Sequence, residues 1–289
     1  MAAPSACDIT LRCLGFCGAD DSVEPRLLRA VSAAYEWVEW GVLFRPDKSG
    51  TPRYASDEWV ARLGAVNGAR QMRLAAHMCS SRVDDLLQGK SDYVRKLHHE
   101  ASRAHARATA PCATAPARAR ENEMRTRRRP LTRAQVGFRR VQINATAANG
   151  VDVAAFADAA GARQCVHALR RVMTEVPAVE FIMQRNAQTA RLCEGLCEEL
   201  PLNASFLFDE SMGLGIASST WPDPPAEGIP FGYAGGLSPS NLREKLLQAT
   251  TATTRALAPP RQPSPRLWSS TASIVRADLA RRAAAHAVG

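Results

Sequence analysis

The chain has no apolar run approaching the ~20 residues that a membrane-spanning helix needs, so a helical membrane protein is excluded. Its opening, MAAPSACDITLRCLGF, has no basic segment leading into an apolar stretch. A secretory leader is therefore not expected, and a cytoplasmic setting is. The eight cysteines (7, 13, 17, 79, 112, 165, 193 and 197) never fall at the two-residue spacing of a zinc knuckle. Outside an oxidising compartment they are read as thiols and not as a disulfide framework. The pairs Cys13–Cys17 and Cys193–Cys197 come nearest to a metal clip, but one leaves a strand and the other sits on a helix. No Gly-x-Gly-x-x-Gly turn follows the first apolar run, where Gly15-Phe16-Cys17-Gly18 stands instead. That argues against an open dinucleotide-binding sheet, which is the second choice of fold.

Hydrophobic residues make up 46% of the 289 positions and charged residues 22%, enough to bury a core. The formal net charge of +9 would suggest nucleic acid if it were spread over a folded surface, but it is not. Between Ala101 and Gln135 lie nine arginines against two glutamates, +7 of the total. This segment is rich in alanine and arginine with little to bury, so a solvated or disordered insertion is expected over 101–135. It includes Arg127-Arg128-Arg129 but no aromatic residue to stack on bases, so nucleic-acid binding is not favoured.

The rest alternates short apolar runs with amphipathic stretches of helical period. Strands are expected at Ile9–Phe16, Trp37–Phe44, Arg73–Cys79, Arg139–Asn144, Val179–Gln184, Ala204–Asp209 and Pro230–Ala234. Helices are expected at Pro25–Ala34, Ser56–Val66, Arg82–His98, Val153–Glu175, Ala187–Glu199 and Ser238–Gln248. After a low-complexity Pro/Thr/Ala linker at 249–266, Leu267–Ser270 supplies a short strand and Ile274–Ala287 a helix. Eight such units close into a single (β/α)8 TIM-type barrel domain over 1–289, with the insertion before strand 4 and a degenerate last unit.

In a barrel the chemistry sits at the carboxyl ends of the strands. The sixth strand ends in Asp209-Glu210-Ser211 before a Gly-rich turn; Asp209 is either a general acid in the mouth or a carboxylate bonding that turn. The seventh ends in Gly235-Gly236-Leu237-Ser238-Pro239, which suits a phosphate site or a plain strand-to-helix turn. Arg53, in the loop after the second strand, could clamp a carboxylate with its planar fork.

Taken in order, these segments resemble phosphoribosylanthranilate isomerase, of the ribulose-phosphate-binding barrel superfamily. Gly41–Phe44 with Pro46–Tyr54 is similar to the family's Gly-Phe-x-Phe strand and its Pro-Lys-Ser-Pro-Arg-Tyr loop, with about two extra residues. Val141-Gln142-Ile143-Asn144 resembles the Val-Gln-Leu-His fourth strand, with Asn144 in place of histidine. Phe208-Asp209-Glu210-Ser211 resembles its sixth-strand aspartate. Ala234–Asn241 resembles its Ala-Gly-Gly-Leu-x-x-x-Asn phosphate loop. The family's last phosphate loop is echoed faintly at Leu267–Thr271, without its glycine and aspartate. The likeness runs from Cys7 to about Gln248.

The resemblance implies an Amadori rearrangement of a phosphoribosylamine, without metal or cofactor, in tryptophan biosynthesis. Asp209 would be the acid, and Cys13 the base that takes the C2 proton, with Cys17 as the alternative. Arg53 would hold the substrate carboxylate, and Gly235, Gly236, Ser269 and Ser270 the phosphate. The expected partner is a phosphorylated sugar and no membrane; the oligomeric state is left open. A second reading keeps the barrel and its anion pocket as a non-catalytic binding module, and a third tethers the barrel to RNA or a partner through the Arg-rich arm.

Overall fold

The computed structural model describes residues 12–68, 71–98, 137–223, 225 and 229–248, and the backbone of 266–269. Eight parallel strands close into a barrel in sequence order: β1 Leu14–Cys17, β2 Val38–Phe44, β3 Arg73–Met78, β4 Arg140–Ile143, β5 Glu180–Arg185, β6 Ala204–Phe208, β7 Phe231–Ala234 and β8 Arg266–Ser269. The ring shuts where β8 pairs with β1, Phe16 opposite Ser269. Arg266, expected in the linker, opens β8. The insertion 101–135, the rest of the linker, Ser270 and the expected helix Ile274–Ala287 lie outside the described residues. No helix among the described residues is long and apolar enough to cross a membrane.

The helices form where local signals place them. α1 (Pro25–Ala34) starts on a proline at its first turn. α2 (Asp57–Val66) is capped by the Ser56 hydroxyl, which accepts from the Trp59 amide, with Asp57 and Glu58 in the first turn. The long helix expected over Arg82–His98 is two pieces, α3 (Ser81–Leu87) and α4 (92–98), because the chain takes a positive φ at Gly89. The one expected over Val153–Glu175 also divides. A 3-10 turn at Val153–Phe156 ends before Asp158, whose carboxylate caps α5 (Ala159–Glu175) through the Gly161 amide at 2.7 Å. α6 (Ala190–Glu198) and α7 (242–248) complete the described helices. Between β6 and β7 no described residue is helical, and this connection runs across the barrel mouth.

Along β2 the side chains alternate between two buried faces. Val38, Trp40, Val42 and Phe44 point outward into the core shared with the helices, where they meet Trp59, Val60 and Leu63 of α2. Both buried indoles keep a partner, Trp40 on Ser32 Oγ at 2.9 Å and Trp59 on the Val23 carbonyl at 2.7 Å. The intervening Glu39, Gly41 and Leu43 face into the barrel. Inside, among the described side chains, a thin apolar layer of Ala75, Ile182 and Leu207 crosses the middle. At the amino end, Arg140 is buried between Glu39 and Glu180, and Ser205 donates to Glu180 at 2.7 Å. The opposite end is polar too, but of a different kind.

Candidate active site at the carboxyl mouth

Seven inward positions at the carboxyl ends of the strands converge on one small cavity of about 50 Å³: Cys17, Leu43, His77, Gln142, Gln184, Leu207 and Asp209. Arg53, Asn144, Asn149 and Gly235 complete its wall, with Ser211, Gly213 and Gly215 of the β6–β7 connection.

Asp209 is buried and fully engaged. One carboxylate oxygen accepts from the Ser211 amide at 3.1 Å and its hydroxyl at 2.5 Å. The other accepts from Gln184 Nε2 at 2.6 Å and the Gly213 amide at 3.1 Å. Asp209 thus lines the cavity and at the same time ties down the Gly-rich turn.

Cys13 immediately precedes β1 and Cys17 ends it, so of the two candidate bases it is the alternative, Cys17, and not Cys13, that the structure puts beside Asp209. Cys13 is at the amino end, where Arg140 Nη1 lies 3.8 Å from its sulfur. It borders a separate space of about 470 Å³ with Arg12, Glu36, Arg73 and Arg139. The apolar layer of Ala75, Ile182 and Leu207 lies between it and Asp209. Cys17 is the cysteine that shares the mouth with Asp209. That sulfur lies 3.3 Å from His77 Nδ1. Burial pushes the Cys17 thiol up to about 11 against the lowering pull of Arg53, so it is protonated at neutral pH. His77 moves the other way: burial, reinforced by Arg140 and Arg53, holds it down to about 3, so the imidazole is neutral. An imidazole nitrogen is a better acceptor than a thiol sulfur, so the neutral pair has the thiol donating to Nδ1.

Arg53 reaches the mouth as expected, by an unusual route. Its backbone is left-handed, with φ 73°, and the Asp20 carboxylate holds it there by accepting its amide proton at 2.5 Å. Asp21 secures the next turn by accepting the Ser56 amide at 2.7 Å. The two aspartates brace the β2 loop. Gly18 packs against this arginine, and glycine is favoured there by its φ of 85° and not by space, since a Cβ would meet Arg53 at an ordinary 3.5 Å.

The expected phosphate residues divide. Gly235 lines the cavity. Gly236 is not among its lining residues: a Cβ there would fall 2.2 Å from the Ala217 amide nitrogen, so the β6–β7 connection covers it. Its glycine is required by φ 60° and by that close approach. Asn241 closes this turn, donating to the Gly236 carbonyl at 2.9 Å and accepting from the Ser238 amide at 2.8 Å. Lys245 fastens the covering strap by donating to the Ser218 carbonyl at 2.5 Å, and Trp221 stacks on Tyr233 at 4.4 Å. Ser269 ends β8 at the same end of the barrel, described by its backbone alone; Ser270 is outside the described residues.

Sequence reasoning missed His77, Gln142 and Gln184 as site residues. Their signal was a polar side chain at inward parity near the carboxyl end of an apolar strand. Among the described residues, no group of three or more His, Cys, Asp or Glu is placed to hold a metal ion.

No family model and no curated protein matches the chain. Among solved structures, a family 18 chitinase from Crocus vernus aligns with 96% of this chain and 100% of its own at 10% identity, with a TM-score of 0.41. The barrel itself rests on the closed ring of strand pairings, not on that likeness.

Proposed function

We propose that the chain is a phosphosugar isomerase resembling phosphoribosylanthranilate isomerase, acting on an N-phosphoribosyl amine. The observation that carries this reading is Asp209 and Cys17 on one cavity, with Arg53 beside them. In the proposed reaction Asp209 carries its proton on Oδ1, where the Ser211 hydroxyl can accept it, and delivers it to the ring oxygen as the C1–O bond breaks, leaving an iminium cation. Cys17 first gives its thiol proton to His77 Nδ1, 3.3 Å away; the thiolate then takes the proton from C2, the electron pair of that C–H bond neutralises the iminium, and the enolamine tautomerises to the aminoketose. A thiol at about 11 is a poor base, so the step depends on the cationic iminium and Arg53 to favour the thiolate. Arg53 binds the carboxylate of the aromatic amine, and the Gly235 turn faces the phosphate. A ligand of this size does not fit in about 50 Å³, so the strap over Gly236 must lift to admit it.

A second reading, a non-catalytic barrel that binds a phosphorylated ligand, is favoured by a specific observation. Four donors already saturate Asp209, as in a carboxylate kept for its turn. Turnover of phosphoribosylanthranilate by the full chain, followed by loss of its fluorescence, separates the two. Measurable turnover that disappears in Asp209→Asn supports the isomerase. Phosphate binding without turnover supports the binding module.

A further inference from the structure

Two amide oxygens in the mouth have no hydrogen-bond donor among the described residues: Gln142 Oε1 and Gln184 Oε1. Their residues are 6% and 1% exposed, and both line the cavity. Their orientation follows from their neighbours. Gln184 must turn its NH2 group to Asp209 Oδ2, 2.6 Å away, because that oxygen also takes the Gly213 amide and acts as the acceptor, the acid proton sitting on Oδ1; the carbonyl oxygen of Gln184 is left over. Gln142 gives its NH2 to Asn144 Oδ1 at 2.6 Å. Asn144 in turn donates to Cys79 Sγ at 3.5 Å, and Cys79 spends its own proton on Asn149 Oδ1 at 3.7 Å. Each chain of donors thus ends in a buried acceptor that is stabilised only when a donor arrives. Arg53 is the one cation lining this cavity among the described residues, and the one carboxylate, Asp209, is already filled.

We infer that Gln184, assisted by Gln142, is the specificity determinant of the mouth, and that it selects a small anionic ligand with a hydroxyl donor on the carbon beside the reacting one. The assignment rests on the phosphosugar reading above. Asp209 acts at the ring oxygen and Cys17 at C2 in that reading, so the hydroxyl next to the Asp209–Gln184 pair is the one on C2. A site built with an unmet acceptor rejects an analogue lacking the matching hydroxyl more strongly than an apolar pocket does. Gln184 touches ligand through Oε1 and positions Asp209 through Nε2, so activity alone would not separate the two roles.

The test is calorimetry on the full chain with ribose 5-phosphate, 2-deoxyribose 5-phosphate and inorganic phosphate. The expected result is ribose 5-phosphate binding at least about tenfold tighter than the deoxy sugar. In Gln184→Met, which keeps length and removes the carbonyl, the two sugars should come within about twofold, with phosphate binding unchanged. Should Gln184→Met lose its folded circular-dichroism spectrum, Gln142→Met gives the second measurement, with a ratio clearly below wild type. Equal binding of the two sugars by wild-type protein, or a ratio that survives these substitutions, overturns the assignment while leaving phosphoribosylanthranilate turnover free to stand. Failure to bind ribose 5-phosphate or phosphate at all overturns it together with the phosphosugar reading.

Discussion

The two ends of the barrel interior are both polar and both buried, yet they are built to opposite ends. At the amino end, Arg140 is matched by Glu39 and Glu180, and Glu180 by Ser205, so charge meets charge inside the layer. At the carboxyl end the inward groups are mostly neutral amides, a thiol and an imidazole, and two acceptors are left unmet. The larger space, about 470 Å³, is at the amino end. Size is therefore a poor guide here. A self-satisfied ion cluster closes a barrel, whereas an unsatisfied polar ring is a site that expects a ligand.

The largest effect should come from breaking the self-satisfied end. Arg140→Met leaves Glu39, with a side chain 3% exposed, beside Glu180 without their common partner. Removing one member of a buried ion cluster typically costs about 3–5 kcal/mol. The denaturant midpoint should fall accordingly, and an unchanged midpoint would mean that the amino end is not held by this cluster.

Next is the unsatisfied end, where substitution should affect chemistry more than folding. Asp209→Asn keeps the side chain's shape and removes the proton it transfers. Turnover should drop at least ~10²-fold while ribose 5-phosphate binding is largely kept. A variant that unfolds but, when folded, turns over normally would assign Asp209 to its turn alone.

A matched pair of cysteine variants sharpens the comparison, because the two sulfurs belong to different ends. Cys17→Ser should reduce turnover about as much as the aspartate variant, since a hydroxyl cannot serve as the base at neutral pH. Cys13→Ser should leave turnover within about twofold and show in the denaturation midpoint instead. Kinetics on the two proteins checks this, and the reverse pattern would place the chemistry at the amino end.

These same cysteines show how much was legible in the sequence. The barrel was, because the apolar runs of the strands recur between helical stretches. The places of Asp209 and Gly235 were legible because each follows directly on a recognisable strand, and that of Arg53 because its loop leaves the carboxyl end of one. Which cysteine shares the mouth with Asp209 was not, because Cys13 and Cys17 have the same parity, and parity says nothing about which end a residue occupies. Only the strand's limits decide: among the described residues β1 runs Leu14–Cys17, and the first positions of the expected Ile9–Phe16 lie outside them. The glycine at 236 was left between two readings for a related reason. A bare Gly-Gly pair looks the same whether an anion or the Ala217 backbone approaches it, and that contact spans a connection with no helical period to read. His77 sat unmarked in an apolar run, although Leu74 and Ala76 face the outer core while His77 faces in.

The smallest expected effect is a pH slope that links the two ends. His77 is held down from 6.5 to about 3 by burial, then by Arg140 and Arg53. The unfolded chain takes up a proton on this side chain as pH falls below 6.5, while the folded chain refuses it until about 3. Protons therefore favour the unfolded state throughout that window. The contribution is intact above pH 6.5 and erodes as pH falls toward 3, approaching about 1.4 kcal/mol for each pH unit below 6.5. In His77→Gln the slope from this group should vanish, so wild type and variant should run parallel above pH 7 and diverge in steepness below 6.5. Denaturant midpoints measured from pH 7.5 to 5 would show it, and equal slopes would mean the imidazole takes its proton while still folded. Arg140 belongs to the amino end, yet it is the larger of the two charges acting on this histidine. Arg140→Met should accordingly move the titration of the folded imidazole upward from about 3, read by NMR titration of His77, and an unmoved titration would show that the ion cluster closes the barrel without reaching the mouth.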